Sequence, residues 1–144
     1  MPIVGEYEPS PSKWVREQVE LYESSNGTQG TTLGDTGLPV VVITMRGART
    51  GKVRKVPVMR VEHNGAYAAV ASKGGAPEHP RWYYNLKANP KVELRDGSTV
   101  MELTAREVHG EEKEKWWARA VAAYPPYEEY QAKTTRQIPV FVLE

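Results

Sequence analysis

The stretch PVVVITMRGARTGKVRKVPVMRVEHNGAYAAVAS, residues 39–72, decides the architecture. Val40-Val41-Val42-Ile43 is a β-branched run of the kind that forms a strand buried on both faces. After the turn Gly47-Ala48-Arg49-Thr50-Gly51, residues Val53 to Glu62 alternate and set Val56 and Val58 against Lys55 and Pro57. His63-Asn64-Gly65 is a strong tight-hairpin signal, and Ala66 to Ser72 returns as an alternating strand of small and apolar residues.

Outward from this core, Lys91 to Arg95, the Asp96-Gly97 turn and Thr99 to Val108 predict another hairpin, and Ile138 to Leu143 a last apolar strand. Helices are predicted over Ser12 to Ser24, with Ser12 as N-cap and Trp14, Val15, Gln18, Val19 and Tyr22 on one face. Two more are expected at Arg81 to Ala88, ended by Asn89-Pro90, and at Glu111 to Tyr124, broken by Pro125-Pro126. The third helix places Trp116, Trp117, Ala120, Val121 and Ala123 on one side, and Tyr127 to Lys133 adds a turn or two. Ser24 to Leu38 is a glycine-rich loop without the Gly-Lys-Ser/Thr ending of a phosphate-binding P-loop, so it is either a flexible connection or a gate. No gap between strands holds two helices, which favours antiparallel pairing. The expected fold is mainly β (α+β): a barrel of about six mostly antiparallel strands with flanking helices, in one domain over 1–144. Within it, 1–25 is an N-terminal helical segment, 26–38 the glycine-rich loop and 39–144 the barrel with its helices.

Composition narrows the function. The 144 residues carry a formal net charge of +1, which argues against a protein coating nucleic acid. The absence of cysteine removes disulfides, thiolate nucleophiles and zinc knuckles. His63, His79 and His109 are scattered without metal-ligand spacing, so no metal site is expected. No apolar run approaches a membrane span and MPIVGEYEPS lacks a signal-peptide pattern, so the expected setting is cytoplasmic. The amphipathic first helix offers a peripheral membrane contact, but its surrounding glutamates (Glu6, Glu8, Glu17, Glu20, Glu23) oppose anionic lipid.

Three clusters carry chemistry. Between Arg46 and Arg60 stand six basic residues, Arg46, Arg49, Lys52, Arg54, Lys55 and Arg60, with no acidic residue among them. They enclose a turn whose amides, hydroxyl and guanidinium suit phosphate; a solvated basic hairpin is the equal alternative. Ser72-Lys73-Gly74-Gly75 ends a strand in a loop where two glycines permit close approach to a ligand. It is followed by Pro80-Arg81-Trp82-Tyr83-Tyr84-Asn85-Leu86-Lys87, where Trp82 taken alone reads as core rather than as a stacking platform. Third, Tyr124, Tyr127 and Tyr130 recur at helical spacing beyond Pro125-Pro126; phenols can orient a carbonyl or nitro group, or simply rim the core. Lys133 and Arg136 read as surface charges.

In this order, the clusters resemble the deazaflavin (F420)-dependent nitroreductase family, the class A F420-dependent reductases of the FMN-binding split-barrel type. The resemblance lies in Gly47 to Pro57, in ASKGG (Ala71 to Gly75), in PRWYYNLKANP (Pro80 to Pro90) and in Tyr124 to Tyr130. It implies a split β-barrel that binds reduced coenzyme F420 and passes a hydride from its C5 to an enone, quinone or nitroaromatic. It also implies roles for residues. Arg49, Thr50, Gly51 and Arg54 would hold the phosphate, with Lys52 and Lys55 available to the glutamate tail. Val56, Pro57 and Met59 would lie against the ring. Ala71, Ser72, Lys73, Gly74 and Gly75 would line the cleft, and Pro80, Trp82, Tyr83, Asn85 and Lys87 would close it. Ser72, Tyr127 and Tyr130, together with Tyr124, would bind the acceptor oxygen. An FMN-using split-barrel oxidoreductase and a non-catalytic F420 carrier are the alternatives. The expected partner is a small-molecule electron acceptor rather than nucleic acid, and the expected assembly a monomer or homodimer.

Overall fold

In a computed structural model of the chain, residues 3–144 are described. Helix α1 (Lys13–Ser24) precedes strands β1 (Val40–Arg46), β2 (Val53–Met59), β3 (Glu62–His63) and β4 (Ala66–Val70). Then come α2 (Arg81–Ala88), β5 (Lys91–Asp96), β6 (Thr99–Val108), α3 (Gly110–Ala123), α4 (Pro126–Ala132) and β7 (Val140–Leu143). The strands form one antiparallel sheet in the order β2-β1-β5-β6-β7-β4-β3. β3 follows β2 after two residues, and the Ala68 amide donates to the Val61 carbonyl at 2.8 Å. The chain thus ties the two ends of the sheet together, which curls it into a split barrel and leaves little open edge.

Seven strands stand where about six were expected. The extra one arises because Val53 to Glu62 is not continuous: Arg60 and Val61 leave the ladder before Glu62–His63. β1 is buried on both sides. Val40 and Val42 join Met59, Val61, Val70, Trp116, Ile138 and Val140 on one face. Val41, Ile43 and Met45 join Leu86, Leu94, Phe141 and Leu143 on the other. A strand with apolar residues at consecutive positions needs cover on both faces, so α1, α3 and α4 pack against the first and α2 against the second.

α1 starts where expected, with the Ser12 side chain accepting from the Val15 amide. Its buried face differs: Val15, Val19 and Tyr22 point inward, whereas Trp14 is 54% exposed, one position off the apolar stripe. Gln18 is not part of an apolar face either; its amide donates to the Gly30 and Thr32 carbonyls and moors the glycine-rich loop. The Tyr22 hydroxyl bonds the Val40 carbonyl at 3.1 Å and accepts from the Gly97 amide at 2.8 Å. That brings Gly27, at φ +75°, so close to the β5–β6 turn that a Cβ would lie 2.1 Å from Gly97 backbone. The loop is held rather than free.

Two glycines of this loop separate backbone strain from crowding. Gly27→Ala and Gly37→Ala impose a methyl at the same φ of +75°, but nothing lies within 4 Å of Gly37. Gly37→Ala is expected to cost about 1 kcal/mol and Gly27→Ala about 2–4 kcal/mol, measured by urea unfolding. Equal costs would show that the loop does not press on the β5–β6 turn.

Candidate active site

The β1–β2 hairpin and α2 enclose a cavity of about 710 Å³. The hairpin turn is a closed structure: the Gly47 amide donates to the Lys52 carbonyl at 2.8 Å and the Gly51 amide to the Gly47 carbonyl at 3.1 Å. The Ala48 amide donates to Asn85 Oδ1 on α2 at 2.8 Å, and the Lys52 amide to Thr50 Oγ1 at 3.2 Å. Among the described residues, the amides of Arg49 and Thr50 find no protein acceptor and the Arg49 side chain no ion-pair partner. The turn therefore presents donors outward. The cavity wall beside it is apolar, made by Met45, Val56 and Trp82, with Arg54, Lys55, Arg81 and Tyr84 around it. Trp82 packs on the core and lines the cavity at once.

The cavity's other wall comes from a segment the motifs left aside: Glu8, Ser10, Pro11 and Val15. It changes the electrostatics of the basic stretch. Arg54 pairs with Glu8 at 2.7 Å, Lys55 with Glu23 at 2.7 Å and Lys52 with Glu6 at 3.6 Å. Arg60 pairs with Asp96 at 2.9 Å, and Arg46 donates to the Val4 and Gly51 carbonyls. The expected field of six open cations is corrected: Arg49 alone of the six is unengaged among the described residues. Charges remote in sequence are neighbours in the fold, and the acidic N-terminal segment is the complement of the basic hairpin.

Ser72, Lys73, Gly74 and Gly75 do not line this cavity. Lys73–Gly75 forms a 3-10 turn packed on α4, where Gly75 approaches so closely that a Cβ would lie 2.7 Å from the Tyr130 carbonyl oxygen. Lys73 holds a left-handed φ of +46° and donates to Glu78 at 2.9 Å, and this bond draws the Glu78 carboxyl below its usual range. Arg136, expected at the surface, is the clamp of this turn. Its guanidinium donates to the carbonyls of Ser72 at 2.7 Å, Ala76 at 2.9 Å and Ala71 at 3.2 Å, and to His79 Nδ1 at 2.9 Å. Burial, then the charge of Arg136, pushes the His79 imidazole below its ordinary value.

The tyrosine cluster spans the junction of α3 and α4, with Tyr124 capping the end of α3 and Tyr127 and Tyr130 on α4. The hydroxyls of Tyr124 and Tyr130 are 2.9 Å apart, and this bond followed by burial pushes Tyr124 up to about 12. Tyr127 is different: it is buried in the core against Trp117 and Tyr124, and burial raises its phenol strongly. Met59 is likewise a core residue. Gly51, Lys52, Pro57 and Ala71 also lie outside the cavity lining, as do Pro80, Tyr83 and Lys87. Tyr83 and Lys87 both donate to Glu107, and the Tyr83 ring stacks on His79 at 4.3 Å between centroids. α2 thus joins two loci, with Trp82 and Asn85 on the cavity and Tyr83 toward the Ser72 turn. Sequence reasoning gave no site role to Glu8, Arg81, Tyr84 or Arg136. Arg81 and Tyr84 lie inside the Pro80 to Lys87 cluster it singled out, and the signal for Glu8 was the opposite charges of the two segments.

The sheet order and the helix placement define a split barrel, and the comparisons agree. A family model described as F420H(2)-dependent quinone reductase matches residues 14–144. An F420H(2)-dependent quinone reductase of Mycobacterium tuberculosis (strain H37Rv) is 33% identical over 144 residues, covering 92% of this chain and 96% of that protein. The solved structure of an F420-H2 dependent reductase, FDR-A, is 62% identical with a TM-score of 0.71, over 74% of this chain and 94% of that one. A structure described as a domain-swapped dimer is 57% identical with a TM-score of 0.73, over 94% of this chain and all of that one (100%). The chain belongs to the F420H2-dependent quinone reductase family. It is an F420H2-dependent reductase by that membership, with F420 rather than FMN as the family's coenzyme.

The His79 clamp has a pH signature. A histidine whose folded value is depressed binds fewer protons in the folded state, so its contribution is intact above the unfolded value of 6.5 and declines as pH falls below it. The parent is expected to lose stability between about pH 7 and 5, above the window of the Glu78 carboxyl. His79→Asn keeps an acceptor for Arg136 without a proton to gain, and should flatten that decline in urea midpoints. An unchanged slope would place the titration elsewhere.

Proposed function

We propose that this chain uses reduced F420 to reduce a small electrophilic acceptor, with quinones the leading class and enones and nitroaromatics alternatives at the same site. The observation that carries the reading is the hairpin turn 47–50, with its outward donors, set beside the apolar wall of Met45, Val56 and Trp82 in one cavity. A coenzyme with an aromatic head, a phosphodiester and a carboxylate tail needs that donor set and that wall together. When bound, the coenzyme supplies the hydride at C5.

The chain's residues supply position and charge. Arg49, with the Thr50 hydroxyl and the two unengaged amides of the turn, would receive the phosphate, because a guanidinium fork and amides can meet several oxygens at once. Arg54, Lys55 and Lys52 already hold carboxylates, so their geometry is one that suits the tail. Asn85 acts through the turn, fixing it to α2 by the Ala48 amide. Trp82, Val56 and Met45 would back the ring and exclude water, so that the acceptor is held at reacting distance; that positioning can contribute roughly 7–11 kcal/mol at best.

Reducing a quinone to a hydroquinone takes one hydride and one proton. Tyr124, held protonated up to about 12, is a poor acid at neutral pH and a good hydrogen-bond donor. It and Tyr130 are therefore assigned to orienting the acceptor oxygen with Ser72, while water delivers the proton. Tyr127, buried in the core, is assigned to supporting their ring positions. The relative solved as a domain-swapped dimer supports a homodimer, which light scattering would check.

The test is a titration of the full chain with coenzyme, followed by oxidation of reduced coenzyme with a quinone such as menadione. Arg49→Glu should weaken coenzyme binding about tenfold or more while leaving thermal unfolding unchanged, since the Arg49 side chain bonds no other described residue. Tyr130→Phe should change turnover or acceptor preference with coenzyme affinity retained. Binding of FMN in place of F420, or no oxidation with any acceptor, would overturn the reading.

A further inference from the structure

The N-terminal segment is built into the sheet edge. The Glu8 amide donates to the Val53 carbonyl at 2.9 Å, the Val53 amide donates to the Glu6 carbonyl at 2.8 Å, and Tyr7 pairs in parallel with Val53. Arg46 holds the Val4 carbonyl at 2.8 Å, and the Lys55 ammonium lies 5.3 Å from the centroid of the Tyr7 ring. This strap delivers one carboxylate into the cavity, that of Glu8, where it grips Arg54. Glu23 approaches from α1 and grips Lys55 through both oxygens, at 2.7 and 2.8 Å. Glu6 reaches Lys52 only at 3.6 Å with its own side chain 75% exposed, a contact worth little.

We infer that Glu8 is a specificity-determining residue: an internal carboxylate that an incoming anionic ligand must displace from Arg54. Resting on the function proposed above, this sets which ligands the site accepts. A carboxylate tethered by two backbone bonds faces Arg54 at an effective concentration in the millimolar range or above. A free monoanion exchanged for Glu8 gains one pair, loses one and has no tether, so it does not enter. A ligand already anchored at another point, by its aromatic head on Trp82 or its phosphate on Arg49, presents its own carboxylate at a comparable effective concentration and can win the exchange. The strap thereby selects ligands whose carboxylates follow an already anchored head or phosphate, and rejects a short unanchored acid such as free glutamate. Glu23 stays in place, because it and Lys55 are the better buried pair.

The experiment compares the parent full-length chain with Glu8→Gln, which keeps the shape of the side chain and removes its charge. Two probes are titrated by fluorescence: the complete coenzyme, and the deazaflavin riboside that lacks phosphate and glutamates. Glu8→Gln should tighten the complete coenzyme about fivefold and leave the riboside within twofold of the parent value. Glu6→Gln, at the longer and exposed pair, should change neither by as much as twofold. Unchanged or weaker coenzyme binding in Glu8→Gln, with the parent binding normally, overturns the exchange and leaves the assignment of the site standing. Equal tightening of both probes also overturns it, since the gain would then not involve the tail. Absence of coenzyme binding by the parent overturns both readings.

Discussion

β1 is the constraint from which the rest of the structure follows. Its residues Val40 to Ile43 are buried on both faces, and it carries β2 on one side and β5 on the other. A strand of that kind cannot sit at an edge or face water, so the sheet must curl and helices must cover both of its faces. On one face the cover is extensive, with α1, α3 and α4 over Val40, Val42 and their neighbours. On the other it is a single eight-residue helix, α2, which seals the sheet at Leu86 and touches the β1–β2 turn through Asn85. The cavity is the space this short cover leaves. Its position, between an apolar sheet face and a turn rich in donors, comes from the packing and not from any one motif.

Much of this was legible in the sequence, for local reasons. Turn chemistry at Asn64-Gly65 and Asp96-Gly97 and the breakers around each helix fix elements through their own φ/ψ preferences, so the hairpins and helices stand close to where the sequence puts them. What escaped was set by pairing at long range. Val53 to Glu62 reads as one alternating strand, yet the curl of the sheet takes Arg60 and Val61 out of the ladder so that β3 can reach β4. Trp14 looks apolar and periodic, but the helix presents Val15 to the cavity and the core instead. Arg136 follows a helix and looks like a surface charge; four acceptors from the 71–79 segment surround it only because β7 runs beside β4.

The site shows the same division. The motifs located the hairpin turn and the Trp82–Asn85 face, and the structure brings these together through one hydrogen bond from Ala48 to Asn85. It does not bring the Ser72 turn to the same wall; that turn belongs with α4 and the Tyr124–Tyr130 pair. α2 couples the two loci, since Trp82 faces one and Tyr83, stacked on His79, faces the other. A reductase has use for that arrangement. In the proposed reading, coenzyme anchoring uses charge and a flat apolar wall, whereas the acceptor oxygen takes hydrogen bonds from phenols that stay protonated.

Electrostatics read along a sequence assign a sign to a segment, but a fold decides whether that sign is available. Here a +6 run becomes four ion pairs, with Arg46 held by the Val4 and Gly51 carbonyls and, among the described residues, only Arg49 unengaged. Pairing of this kind is what a binding site for a polyanion requires if the unliganded protein is to stay folded and selective. Unpaired, five or six cations on one hairpin would repel one another and attract any anion. Paired, they are pre-positioned by carboxylates of the chain itself, and the free energy of binding becomes a difference between two sets of carboxylate contacts rather than the full Coulombic attraction. Such a difference is small for a lone anion and grows with each further anchor a ligand can use. In the proposed reading, specificity for a long, multiply charged coenzyme comes from the number of simultaneous contacts it makes.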